Sequence, residues 1–170
     1  MQERQGRVTL KGNPLTLLGA EVAVGTEAPD FTALDNELNP VSFGSFRGRK
    51  VIIASVPSLD TPVCDLETRR FNDEATRLNP DVAVLTISMD LPFAQKRWCG
   101  AAGIERVQTL SDYRDASFGL AYGVLIKELR LLARAVFVID ERGVVRYAQL
   151  VGELTEEPDY EAVLEAVRGL

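Results

Sequence analysis

The chain has 170 residues, 46% hydrophobic and 26% charged, with 19 Lys+Arg against 25 Asp+Glu for a formal net charge of −6. One domain over 1–170 is expected, long enough to bury roughly 70% of the surface its unfolded chain exposes. The absence of His removes Ser-His-Asp and Cys-His nucleophiles, a His proton shuttle and imidazole-ligated zinc, and two Cys cannot alone complete a tetrahedral zinc site.

An acidic chain without a Lys/Arg block gives no footing to a nucleic acid or an anionic membrane. Met1–Leu10 lacks the apolar core of a secretory signal, and no run reaches the about 18 apolar residues of a membrane helix, so a cytoplasmic location is expected. Thiols are kept reduced there. A Cys pair is then either buried packing or a transient catalytic or sensing pair.

In chain order, Val8–Lys11 and Leu15–Leu18 flank the turn signal Gly12-Asn13-Pro14, which predicts a hairpin. Phe31–Leu34 followed by Asp35-Asn36 repeats a strand and turn more weakly. Val51–Val56 (VIIASV) is a short β-branched run expected to be a buried strand. Thr61–Leu78 reads as a helix whose apolar positions Phe71, Ala75 and Leu78 recur at i, i+4, i+7, with Asp65, Glu67, Arg69, Arg70, Asp73 and Arg77 assigned to the other faces. Val82–Ile87 is a second buried strand, Pro92–Ala102 a helix stopped by Gly103, Val107–Leu110 a third strand, and Ala116–Tyr122 a helical piece. Ala135–Ile139 and Val144–Leu150 form an antiparallel hairpin across Asp140–Gly143, and Pro158–Val167 a final helix. Parallel βαβ units followed by ββα give an α/β fold: a mixed central sheet flanked by helices, thioredoxin-like, with an N-terminal β-hairpin.

The chemistry concentrates in PSLDTPVC, Pro57–Cys64, between the first buried strand and the helix after it. Pro62 at the first helical position makes Thr61 the N-cap and places Cys64 in the first turn, where free N–H groups and the helix dipole favour a thiolate over a thiol. A small buried hydrophobe is the plain alternative for Cys64, and a simple cap for Thr61. Cys99 lies 35 residues downstream beside Trp98. That separation excludes a CxxC dithiol, and packing remains open for Cys99. Two helices with intact first turns would need local unwinding before a disulfide formed, since the Cα atoms must come within about 7 Å.

PSLDTPVC, continuing as DLETRRFN, resembles the Pro-x-x-x-Thr-x-x-Cys motif of the peroxiredoxins, and specifically of the bacterial thiol peroxidase subfamily. The N-terminal hairpin, APDF (Ala28–Phe31), ARAVFVID (Ala133–Asp140) and EEPDYEAVL (Glu156–Leu164) extend the resemblance over nearly the whole chain. It implies that Cys64 is the peroxidatic cysteine, that Thr61 hydrogen-bonds the thiolate and the peroxide, and that Pro57 shields the sulfur. It further implies Arg134 as the active-site arginine and Cys99 as the resolving cysteine, paired with Cys64 in an intramolecular disulfide. Without the family, Arg134 equally reads as a solvated strand end.

The implied activity is antioxidant reduction of hydrogen peroxide and alkyl hydroperoxides to water and alcohols. Thioredoxin is the implied reductant, a homodimer the implied assembly, and no cofactor is required. Leu59, Val63 and Trp98 are candidates for an apolar substrate surface, or else core packing. Two other classes remain: a redox relay or sensor that oxidises a partner protein, and a thioredoxin-fold binding module in which both Cys are structural.

Overall fold

The computed structural model describes every residue except Thr76. At the N-terminus, β1 (Glu3–Leu10) and β2 (Asn13–Leu18) pair antiparallel, Leu10 opposite Asn13. The reversal falls on Lys11 and Gly12, both at positive φ (50° and 82°), rather than on Gly12-Asn13-Pro14. A two-residue loop with both central residues left-handed matches the strands' twist, so Asn13 and Pro14 are released into β2. β1 also begins earlier than its apolar residues suggest. Its first half is polar and largely exposed, and the register shifts between Gln5 and Val8 around Gly6.

β3 (Thr32–Leu34) and β4 (Pro40–Ser42) form a second hairpin, followed by a 3-10 turn at Phe43–Phe46. β5 (Val51–Ser55) and β6 (Ala83–Ser88) are buried throughout, because both faces of the sheet are covered. β5, β6 and β7 (Val107–Ser111) run parallel, linked by α1 (Pro62–Ala75) and α2 (Pro92–Ala102). The end expected for α1 at Leu78 lies beyond Thr76, outside the described helix; Leu78 still packs on the α1 core. Gly103 closes α2 at φ 68°, a left-handed cap that glycine adopts without a Cβ penalty.

After α3 (Ser117–Ala121), the two-residue strand β8 (Leu125–Ile126) pairs with β2 and ties the N-terminal hairpin to the body. It is too short to carry a periodic signal. β9 (Ala135–Ile139) pairs antiparallel with both β5 and β10 (Val145–Leu150), giving the seven-stranded order β10-β9-β5-β6-β7-β3-β4. α4 (Tyr160–Arg168) starts after Asp159, whose carboxylate accepts the Ala162 N–H, so Pro158 stands before the cap rather than inside the helix.

One face of the sheet packs Ile52, Val84, Val136 and Val138 against Phe71 and Ala75 of α1 and Val163 and Val167 of α4. The other packs β5, β6 and β9 against Phe118, Tyr122 and the hairpin's Val8 and Leu17. The thioredoxin-like α/β arrangement expected from the sequence is what forms. No helix among the described residues is long and apolar enough to cross a membrane.

Candidate active site

α1 opens where β5 ends, at the carboxyl edge of the parallel strands, a standard place for α/β chemistry. Thr61 is the N-cap by position, since its carbonyl accepts the Asp65 N–H at 3.0 Å. Its hydroxyl donates to the Ser58 carbonyl at 2.8 Å, so the hydrogen goes back into the loop while the oxygen's lone pairs stay available as acceptors. Cys64 follows three residues later, fully buried among Val56, Leu59 and Trp98. Pro57, at the mouth of β5, is also buried.

The buried face of α1 is Cys64, Glu67, Thr68, Phe71 and Ala75. Glu67 therefore does not sit on an outer face, as the sequence reading had it. Its carboxylate Oε2 accepts from Arg134 Nη1 at 2.8 Å with both side chains almost fully enclosed. Arg134 precedes β9, and its Nη2 donates to the Leu154 carbonyl at 2.7 Å. It is 1% exposed, which removes the solvated strand end as a description of this residue.

Burial works against the charge on Arg134, but Glu67 and the Cys64 sulfur outweigh it and raise the pKa of the guanidinium. Burial pushes the Glu67 carboxyl up to about 7 against the pull of Arg134. Its Oε1, like Arg134 Nε, makes no hydrogen bond among the described residues. The Arg134 guanidinium already interacts with the Cys64 sulfur, and its Nε is an unpaired buried donor of a kind that costs about 1–3 kcal/mol.

Outside the sulfur, a shallow cleft is lined by Leu59, Asp60, Thr61, Pro62, Asp65 and Trp98. Val63 is half-buried and is not among the residues lining it. Trp98 Nε1 donates to Asp65 Oδ1 at 2.8 Å, and the Arg69 guanidinium lies 5.7 Å from the Trp98 ring centroid, joining α2 to the first turns of α1.

Cys99 stands apart from this group. It is half-buried, its Sγ is 3.5 Å from Thr109 Oγ1, and it opens onto a separate charged cleft with Asp35, Glu37, Arg49 and Arg106. Both thiols are free. The structure thus gathers Leu59, Cys64, Trp98 and Arg134 with Thr61 at the rim, buries Pro57 in the segment that follows β5, and places Cys99 elsewhere on α2.

Sequence reasoning missed Glu67, although a signal existed: it lies four residues before Phe71, on the stripe that also carries Cys64. It also missed Asp90, which accepts from the Ser58 hydroxyl and the Leu59 N–H, because only the folded chain brings residues 31–32 apart together.

The Redoxin family model matches residues 23–164. The chain is 60% identical over 163 residues to the thiol peroxidase of Bacillus subtilis, covering 96% of this chain and 97% of that protein. The chain belongs to the thiol peroxidase family. The thiol peroxidase of Halalkalibacterium halodurans is 58% identical over 161 residues, covering 95% of this chain and 96% of that protein. A peroxiredoxin-like protein from Aquifex aeolicus superposes with a TM-score of 0.90 at 45% identity, covering 97% of this chain and 98% of that one. A thiol peroxidase from Chromobacterium violaceum, at 22% identity and TM-score 0.85 over 95% of each chain, shares the fold. The enzyme class inferred from PSLDTPVC and its flanks, a thiol-dependent peroxidase of the peroxiredoxin kind, is that of the family. A binding module with two structural Cys is set aside.

Proposed function

We propose that Cys64 is the nucleophile and Cys99 the resolving thiol of a cycle that reduces hydrogen peroxide and alkyl hydroperoxides. The single observation that carries this reading is the meeting of the Cys64 sulfur with the buried Arg134 guanidinium at a helix N-terminus. The Cys64 thiolate attacks one peroxide oxygen, the O–O bond breaks, and the leaving oxygen takes a proton to depart as water or an alcohol while the sulfur becomes a sulfenic acid. Arg134 Nε and the first-turn amides of α1 stabilise charge as it passes from sulfur to leaving oxygen. The lone pairs of Thr61, whose hydrogen is held by Ser58, accept the peroxide O–H and orient it. Pro57 and Leu59 keep water from the sulfur.

The Cys99 thiol then displaces hydroxide from the sulfenic sulfur, releasing water and closing the Cys64–Cys99 disulfide. An external dithiol, thioredoxin, reduces it by exchange and leaves oxidised in turn. Since the two thiols face different surroundings, closure requires a helix end to move. Exposed Leu66, Leu91 and Phe93 offer apolar surface on α1 and at the start of α2 for the reductant or a second copy of the chain. The cytoplasm, where thiols are kept reduced, is the compartment that suits this recycling.

The test is intact mass and free-thiol count of the reduced protein before and after a few seconds with one equivalent of cumene hydroperoxide. The expected result is loss of both thiols, a mass lower by about two hydrogens and a monomeric band on non-reducing gels. Cys99→Ser should consume one equivalent of peroxide and then stop, and Cys64→Ser should consume none. Normal thioredoxin-driven turnover by Cys99→Ser would overturn the resolving role, and two unchanged thiols in the native chain would overturn the whole reading.

A further inference from the structure

α2 sits on the sheet in an unusual way. Its only buried residues are Pro92 and Gln95, and it contributes none to the two large apolar clusters. Beneath it lies a polar layer: Gln95 Nε2 donates to Ser88 Oγ at 2.9 Å and to the Leu110 carbonyl at 3.0 Å, while Thr109 Oγ1 donates to Asn36 Oδ1 at 2.9 Å. Ser111 Oγ bonds the Asp90 carbonyl. Apart from Trp98, which packs with Val56, Leu59 and Cys64, directional bonds rather than area removed from water hold the helix that carries Cys99.

Asp90 stands one residue before the α2 N-cap, Leu91, where a carboxylate ordinarily serves its own helix. Here it serves the neighbouring loop. Oδ1 accepts from Ser58 Oγ at 2.6 Å, and Oδ2 accepts from the Leu59 N–H at 2.8 Å and from Ser88 Oγ at 2.7 Å. Three donors converge on one carboxylate, a charge-assisted arrangement about twice as strong per bond as its neutral counterpart. Ser58 is also the residue whose carbonyl holds the Thr61 hydroxyl, and Leu59 packs on the Cys64 sulfur. One side chain therefore joins the segment that shapes the Cys64 pocket to the foot of the Cys99 helix.

We propose that Asp90 is a positioning residue that locks the 57–61 loop and the first turn of α2 together in the dithiol form, so that the peroxide pocket and the seat of the Cys99 helix are lost or kept as one unit. This rests on the Cys64 and Cys99 roles given above. In the locked state Leu59 is held against Cys64, Thr61 is held at the rim of the cleft, and Cys99 is held away. Releasing the Asp90 contacts frees both the pocket loop and α2. The pocket then disassembles in the same event that brings the resolving thiol within reach, and a substituted Asp90 loosens both at once.

The test compares the native chain, Asp90→Asn and Ser58→Ala, all reduced. Asn keeps the shape but has one acceptor oxygen and turns an NH2 group toward donors. Two quantities are read: amide-exchange protection at Leu59 and at Gln95, whose N–H bonds the Leu91 carbonyl at 3.0 Å in the first turn of α2, and the rate of Cys64 oxidation by stopped-flow Trp98 fluorescence. Asp90→Asn should lower both protections together by about tenfold and slow Cys64 oxidation by a similar factor, without slowing the following disulfide step. Ser58→Ala, which deletes one hydroxyl, should do the same at about threefold, and it carries the test if Asp90→Asn does not fold. Lost protection at Leu59 with Gln95 unchanged, or Cys64 oxidation at the native rate in both variants, would overturn the proposal. Failure of the native chain to oxidise at Cys64 would contradict the catalytic assignment instead, which the two amides read independently.

Discussion

The two cysteines sit on helices of nearly equal standing in the sheet order, yet their anchoring is opposite in kind. α1 carries Cys64 on the same stripe as Phe71 and Ala75, which pack against Val163 and Val167 of α4 and the valines of β6 and β9. α2 carries a half-buried Cys99 over serines, threonines and a glutamine. Apolar burial is non-directional and is lost only when a side chain leaves the core entirely, whereas a hydrogen-bonded seat gives way when a few geometries fail together and water replaces them. The first suits a thiol that must meet its peroxide in a prearranged pocket. The second suits a thiol that must travel to it.

The Cys64 side of this contrast should break hardest at Arg134. Removing the guanidinium alone strands a buried carboxylate, so the informative variant is Arg134→Gln in a Glu67→Gln background. Cys64 oxidation there should fall by about 10²–10³-fold while the circular dichroism spectrum is kept, the loss expected for a preorganised donor to developing charge. A rate within threefold of the native value would remove Arg134 from the reacting centre.

A smaller effect sharpens the same pair. Because the folded Glu67 pKa of about 7 lies above the ordinary 4.5, the folded state holds a proton there that the unfolded chain has released. The stability contributed is fully present below about pH 4.5 and is lost as pH rises through about 7, by up to about 3 kcal/mol. Urea midpoints should therefore fall between about pH 5 and pH 8 in the native chain and vary less in Glu67→Gln. Parallel profiles would mean that Glu67 does not titrate in this window.

How much of this the sequence revealed depended on whether a residue acts within its own element or across the fold. β9 and α2 were legible to the residue, because AVFVI is a continuous apolar run and Pro92 and Gly103 mark the helix on both sides. β1 was cut short because Glu3, Arg4, Gln5 and Arg7 carry no apolar alternation on a largely exposed strand. β8, at two residues, has no period to detect. In the site, Cys64 and Thr61 follow from local rules of helix starts. Arg134 came only from resemblance, since nothing in an Arg before an apolar strand says that it is enclosed. Glu67 was assigned outward because carboxylates on helices ordinarily face water, an expectation that its partnership with Arg134 overrides. Val63 was named as apolar substrate surface from the family resemblance, and it is half-buried and outside the residues that line the cleft.

The contrast between the two helices is tested most directly by native-state hydrogen exchange of the reduced chain, resolved by residue over 66–75 and 94–102. The amides of α2 should exchange at least about tenfold faster than those in the second half of α1, which should open only with the apolar core. Equal protection in the two helices, or faster opening of α1, would contradict the account.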